Sequence, residues 1–324
     1  MRTIKSALAI AIGAMALSVV AACSLQTGVW AQFMQVEKDE LPALGTTKTP
    51  TAEITPCIAW VDPDVEPKGY LVCVHGLGLH KGTYRQFGER MSKLGWGVYA
   101  VDIRGFGSFQ QMSGNHTVDF PGCLEDVRGA LQFVRSQHPG SPVFIVGESM
   151  GGAIALQMTS LHPELVDGLI SCVPAGERNH KLGDSLKVGL HLLGGAHKNM
   201  DVTDMVVNRS TDKAELREEW LHDELGRFSL SPVELMAFQK FMNENHKAAA
   251  KITNTPVLML QGHSDQLVKL AGQESLINEI PCKDSVLVWV DKAEHLILEE
   301  GQFDDGVITA LTGWLDSHIP ARKS

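Results

Sequence analysis

The run Gly147-Glu148-Ser149-Met150-Gly151 constrains this chain more than any other feature, because of what stands on either side of it. Before it lies the apolar stretch Val143-Phe144-Ile145-Val146, with the composition of a buried strand; after it, Gly152-Ala153-Ile154 opens a helix-forming run that reaches Leu161. A strand that turns directly into a helix forces the corner residue into a sharp, strained conformation, which small neighbours two positions to either side make room for. Gly147 and Gly151 therefore read as the flanks of a nucleophile turn, with Ser149 at its apex.

The rest of the chain supplies the sheet such a turn requires. Short apolar runs bounded by turn residues fall at Cys57–Val61, Tyr70–His75, Gly97–Asp102, Pro142–Gly147 and Gly168–Val173. Helical spacing fills the gaps at Tyr84–Leu94 and at Cys123–Gln137, where Leu124, Val127, Leu131 and Val134 share a face. This βα alternation predicts an α/β fold with a largely parallel sheet. The rhythm breaks over residues 176–250, where helical spacing persists with no strand candidate, as an inserted helical cap would read. It resumes with strands at Pro256–Gln261 and Ser285–Val290 and helices at Val268–Ile280 and Phe303–His318. The expected core is thus 55–175 together with 251–324. Residues 23–54, broken by Pro42, Gly45 and Pro50, read as a tether.

A serine hydroxyl is a weak nucleophile at neutral pH and needs a base within hydrogen-bond reach, itself oriented by a carboxylate. Downstream of Ser149, the apolar run 257–260 ends in Gln261-Gly262-His263-Ser264-Asp265, and the next, 286–290, leads to Asp291-Lys292-Ala293-Glu294-His295. In the chain order serine, acid, histidine, these loops offer Asp265 as acid and His295 as base. His263, in the acid's own loop, reads as a turn residue. Negative charge developing on a substrate oxygen requires preorganised N–H donors. The backbone of Met150, next to the nucleophile, supplies one, and Leu77 in His75-Gly76-Leu77-Gly78 supplies the other. Asp102-Ile103-Arg104-Gly105-Phe106-Gly107 lacks both GxGxxG and a Lys-Ser/Thr ending, which disfavours nucleotide binding and leaves a structural turn.

With those segments together, and with Glu294-His295 closing the set, the chain resembles the monoacylglycerol lipase and lysophospholipase branch of the α/β hydrolases, of the serine aminopeptidase S33 type. The resemblance runs from about residue 55 to the end. It implies an α/β-hydrolase fold with an eight-stranded sheet, a helical cap over the active site, and hydrolysis of single-chain acylglycerols, lysophospholipids or similar small-molecule or lipid esters. Members often carry HGxGEH where this chain reads His75 to His80 with Leu79 in place of Glu. Acyl transfer, thioester or peptide cleavage with the same residues, and ligand binding without catalysis, remain alternatives. No cofactor is expected, since every group the chemistry needs is a side chain or a backbone N–H. Leu182, Leu186, Leu190 and Leu193 form one apolar stripe within the expected cap, and Leu235, Phe238 and Met242 a second.

The amino terminus has a different logic. Arg2 and Lys5 precede an apolar run from Ala7 to Ala22, the plan of a signal peptide over residues 1–22. The run ends Val20-Ala21-Ala22-Cys23, which resembles the lipobox of bacterial lipoproteins and implies lipidation at Cys23. The expected protein is exported, faces the periplasm or cell exterior, and meets a membrane surface through that anchor. Ser24 at the following position leans toward the outer membrane. A plain signal peptide or a retained anchor helix are the other readings.

A formal charge of −10, with no stripe of Lys or Arg, argues against nucleic acid as a partner. No CxxC or HExxH occurs among the 6 cysteines and 13 histidines, so no metal site is expected. His180, His191, His197, His222 and His246 read as solvated surface. Cys73 and Cys172, inside apolar runs, read as small buried hydrophobes.

Overall fold

The computed structural model describes residues 34–38, 55–113, 117–174 and 195–319. The signal segment, Cys23, the stripe from Leu182 to Leu193, His180 and His191 lie outside the described residues.

Each apolar run singled out above becomes a strand. The strands are β1 (Met34–Lys38), β2 (Thr55–Trp60), β3 (Gly69–Val74), β4 (Trp96–Val101), β5 (Val143–Glu148), β6 (Gly168–Cys172), β7 (Met200–Asp201), β8 (Ser229–Leu230), β9 (Val257–Gly262) and β10 (Ser285–Val290). Eight of them form one sheet in the order β1-β2-β4-β3-β5-β6-β9-β10, and β7 pairs with β8 apart from it. All neighbours in the large sheet run parallel except β2 and β4.

Three strands depart from the sequence reading. Within the stretch read as a tether, Met34–Lys38 forms the edge strand β1, in register Met34↔Thr55 with β2. Its five residues are too few to establish a period against the surrounding Pro and Gly. Within the stretch expected to be wholly helical, β7 and β8 pair two residues each, Met200↔Leu230 and Asp201↔Ser229. A two-residue ladder carries no alternation to detect.

Because a strand's side chains alternate, β3 sends Tyr70, Val72 and Val74 into one core and Leu71 and Cys73 into another on the opposite face. Both faces being covered, such strands read as continuous apolar runs. The helices are α1 (Arg85–Lys93), α2 (Phe109–Ser113), α3 (Phe120–Gln137), α4 (Met150–Leu161), α5 (Thr203–Ser210), α6 (Ala214–His222), α7 (Pro232–Asn243), α8 (Asn245–Ala249), α9 (Leu270–Asn278) and α10 (Asp305–Ser317). Residues of α3, α4 and α9 fill the first core, and residues of α1 and α10 fill the second.

Helix α3 starts three residues before the expected Cys123, since Asp119 caps it by accepting the Gly122 N–H and Pro121 occupies its first turn. Helix α7 opens on a reciprocal capping box between Ser231 and Glu234. The five cysteines Cys57, Cys73, Cys123, Cys172 and Cys282 are buried free thiols. Among the described residues no helix is long and apolar enough to cross a membrane.

Candidate active site

The register Val74↔Gly147 sets the carboxyl ends of β3 and β5 side by side, so the loops that follow them emerge together. The chain turns from β5 into α4 at Ser149, whose φ of 54° and ψ of −113° are a strained combination for a residue with a side chain. The flanking glycines are required by contact: a Cβ on Gly147 would lie 2.1 Å from the Gly151 carbonyl oxygen, and one on Gly151 would lie 1.9 Å from that of Val74. Strand and helix thus touch backbone to backbone.

Ser149, Asp265 and His295, more than a hundred residues apart at the extremes, form one hydrogen-bonded chain. Ser149 Oγ lies 2.8 Å from His295 Nε2, and His295 Nδ1 lies 2.9 Å from Asp265 Oδ2. The Asp265 carboxylate also accepts the N–H groups of Leu267 at 2.7 Å and Val268 at 3.0 Å, and the Gln261 amide at 3.0 Å. Burial raises the pKa of this acid, but the His295 ring and these donors outweigh it and hold the carboxyl below its ordinary value. An ionised Asp265 places the imidazole proton on Nδ1 and leaves Nε2 free to accept from the serine. The loops bearing Asp265 and His295 are joined directly as well, since Ser264 N–H donates to the Ala293 carbonyl at 2.9 Å.

Leu77, in the loop after β3, lines the pocket together with Ser149. Met150 is the first residue of α4, and its N–H is one of the four that a helix start leaves without an intrahelical acceptor. His75 braces the Leu77 loop. Its Nε2 accepts the Ile103 N–H at 3.0 Å and its Nδ1 donates to the Gly76 carbonyl at 2.8 Å, which requires the neutral ring. Burial is the chief cause that drives its pKa down to about 4. Asp102 accepts from the Lys81 backbone and ammonium and from the Ser108 N–H, and Arg104 pairs with Asp126 at 2.6 Å. The Asp102–Gly107 segment is accordingly a braced turn.

Three further residues at the site make contacts that no local sequence signal announces. Glu148 accepts the backbone N–H groups of Ile297, Leu298 and Glu299, which fastens the nucleophile turn to the segment after His295. Glu299 accepts the Gly76 N–H at 2.7 Å. Glu294, next to His295, accepts the Thr211 hydroxyl at 2.7 Å and the Asp212 N–H at 2.9 Å from the segment between α5 and α6. Each contact spans a long stretch of chain, and a glutamate in such a position looks in sequence like any other. His263 stacks on Trp289 and pairs with Asp291 at 2.9 Å, while His197 and His222 are exposed and His246 pairs with Glu279.

Above Ser149 and His295 opens a cleft that, together with the solvent at its mouth, encloses about 540 Å³. Its walls are apolar: Leu77 and Leu79 from the core side, and Val206, Trp220 and Phe238 from the helices between β6 and β9. Leu79 is buried and packs in a small cluster with Val207, Trp220 and Leu296. Among the described residues no group of acidic, histidine and cysteine side chains could hold a metal ion.

Comparison with known proteins places this geometry. The family model Hydrolase_4, described as serine aminopeptidase S33, matches residues 65–302. A monoacylglycerol lipase of Mycolicibacterium smegmatis is 24% identical over 260 residues, covering 79% of this chain and 91% of that one. A monoglyceride lipase of Rattus norvegicus is 27% identical over 271 residues, covering 81% and 87%. Among solved structures, a soluble variant of the Saccharomyces cerevisiae monoglyceride lipase in complex with a substrate analog superposes with a TM-score of 0.71 at 21% identity, covering 86% of this chain and 96% of that one. The fold is the α/β-hydrolase fold.

Proposed function

The chain belongs to the Hydrolase_4 (serine aminopeptidase, S33) family and is a carboxylic-ester hydrolase, and from that premise we propose that it cleaves monoacylglycerol or lysophospholipid-type esters through an acyl-serine intermediate on Ser149. The observation that carries the reading is the continuous proton path from Ser149 Oγ through His295 to Asp265 at the floor of an apolar cleft.

His295 Nε2 takes the Ser149 proton as Oγ attacks the ester carbonyl, and Asp265 stabilises the imidazolium that forms. The N–H groups of Leu77 and Met150 receive the developing oxyanion. The proton then passes from His295 to the departing alcohol, leaving the acyl group on Ser149. Water, deprotonated by His295, attacks that acyl-serine; the bond from the acyl carbon to Ser149 Oγ then breaks as His295 returns the proton to Oγ, releasing the acid and restoring the serine. Every bonding change is met by a side chain or backbone group of this chain, with no cofactor in any step. The cleft's apolar wall supports a single acyl chain as the bound portion, since each buried methylene contributes about 0.8 kcal/mol.

Ser149→Ala removes the nucleophile, and turnover of a nitrophenyl ester and labelling by a fluorophosphonate should both vanish with the circular dichroism spectrum unchanged; retained turnover would sink the assignment. An ester panel graded by acyl length and alcohol, run on protein lacking residues 1–23, should favour single-chain lipid esters. Product analysis with an added alcohol acceptor separates hydrolysis from acyl transfer.

We infer further that the protein is an exported lipoprotein anchored to a membrane through Cys23, a reading supported by Val20-Ala21-Ala22-Cys23 after a charged start and an apolar run. Radiolabelled palmitate should be incorporated in a bacterial host and lost in Cys23→Ala. Incorporation that survives the substitution contradicts it.

A further inference from the structure

Beneath the nucleophile turn lies a pair of carboxyl groups that the proton path does not use. Glu148 and Glu299 are both fully buried. Glu148 meets three backbone donors, the N–H groups of Ile297 at 2.5 Å, Leu298 at 3.1 Å and Glu299 at 2.8 Å. Converging amide donors of that kind solvate an anion. Glu299 has one amide donor, the Gly76 N–H at 2.7 Å on Oε1, and its Oε2 touches the Thr83 hydroxyl. Among the described residues no hydrogen bond or ion pair joins Lys or Arg to either carboxyl. Two uncompensated anions in so dry a place repel strongly.

The Thr83 hydroxyl indicates where the proton goes. Thr83 Oγ1 also lies 2.7 Å from the His80 carbonyl oxygen, an atom that only accepts. Its one hydrogen serves that carbonyl. The contact between Thr83 Oγ1 and Glu299 Oε2 then needs a hydrogen of its own, and Oε2 is the atom able to carry it.

We propose that Glu299 is a neutral carboxylic acid in the working enzyme, donating Oε2–H to Thr83 and accepting the Gly76 N–H, and that it is thereby a positioning residue for the oxyanion loop 75–78. Its bond to Gly76 fixes the peptide one residue before Leu77, whose N–H is to meet the substrate oxygen. Neutrality matters there: an anion so near the loop would oppose the negative charge that develops on that oxygen, whereas a neutral acid orients the backbone without adding charge. The pKa trends agree in direction. Burial and the neighbouring Glu148 both push the Glu299 acid well up, while burial raises Glu148 only to about 7 because its backbone donors pull against it. The positioning role rests on the hydrolase reading, but the protonation state does not.

Two measurements on the full chain test the proposal. Infrared difference spectra of wild type against Glu299→Gln, at neutral to mildly alkaline pH, should show the carbonyl stretch of a protonated carboxylic acid in the wild type alone. Kinetically, Glu299→Ala should lower kcat on the order of 10²-fold with little change in KM, as expected for a misplaced oxyanion donor. Glu299→Gln, an uncharged isostere able to make both hydrogen bonds, should restore most of that loss. Absence of the acid band, or a Gln variant as impaired as the Ala variant, would overturn the proposal. Should Glu299→Ala fail to fold, Thr83→Val against Thr83→Ser asks the same question from the other side of the bond: Ser should retain the band position and kcat, and Val should lose both. If Ser149→Ala leaves hydrolysis intact, the hydrolase reading falls while the infrared result still reports on Glu299.

Discussion

The carboxyl edge of the sheet and the helices that cover it are held by different means. On the sheet side, the segments bearing Ser149, Asp265 and His295 are fastened by buried carboxyl groups that take backbone N–H groups, with Glu148, Glu299 and Asp265 each reaching across from one segment to another or closing its own turn. On the covering side, α7 is buried against the core through Leu235, Phe238, Phe241 and Met242, and polar contacts join the rest. These include Glu294 with Thr211 and Asp212, Arg227 with the Gly78 and Gly105 carbonyls, and His80 with Asp223 at 2.6 Å. Of these, the Arg227 contact with Gly105 is buried, the His80–Asp223 pair is partly buried and the Asp212 contact is exposed. The difference teaches that Ser149, Asp265 and His295 are held through backbone anchored by buried carboxyl groups, while the cleft wall above them is held mainly by side-chain packing.

Substitutions on the two sides should therefore behave differently. The largest effect belongs to the sheet side: Asp265→Asn keeps the size of the side chain but disturbs the His295 tautomer, and should lower kcat by about 10⁴-fold with the melting curve nearly unchanged. A loss as small as tenfold in steady-state assays would mean the acid is elsewhere. Next comes the cover. Phe238, buried on α7 and packed against Phe120, also lines the cleft. Phe238→Ala should reduce kcat/KM about tenfold to a hundredfold for a long acyl chain, from the lost apolar contact, and far less for an acetyl ester. Equal losses on both esters would erase the distinction between the two regions.

The smallest effect concerns pH. Glu300, at the core's rim, faces Glu219 and Asp223 of the cover as well as His80, and its pKa rises to about 7, chiefly through burial and then through Glu219. Because its folded pKa lies above the unfolded one, the stability it contributes is present below the ordinary carboxyl range and is lost as pH climbs to about 7. Melting temperature plotted against pH should fall across that window, and Glu300→Gln should flatten the slope. Limited proteolysis should locate the loosening near α6, and an unchanged slope in the variant would remove Glu300 as its origin.

Much of this arrangement was legible in the sequence, for a physical reason. A strand-to-helix corner is a local event, and Gly147, Gly151 and the apolar runs around them declare it within a dozen residues. Asp265 and His295 are signalled the same way, each by its position after an apolar run, and the structure sets them in one hydrogen-bonded line with Ser149. What sequence could not supply were contacts made across the fold: Glu148 to residues 297–299, Glu299 to Gly76, Glu294 to Thr211. None has a period or a spacing. The strands β1, β7 and β8 were missed because they are too short for alternation to show, and the early start of α3 because Asp119 and Pro121 act as punctuation outside the apolar stripe.

The buried thiols have a consequence for how this protein would be handled. Cys57, Cys73, Cys123 and Cys172 are sealed inside strands and helices, and Cys282 is nearly so. Among the described residues, a native molecule thus offers alkylating reagents almost no thiol to attack. Each sulfur becomes a built-in clock of molecular opening, and incorporation of a mass tag counts how often the sheet comes apart.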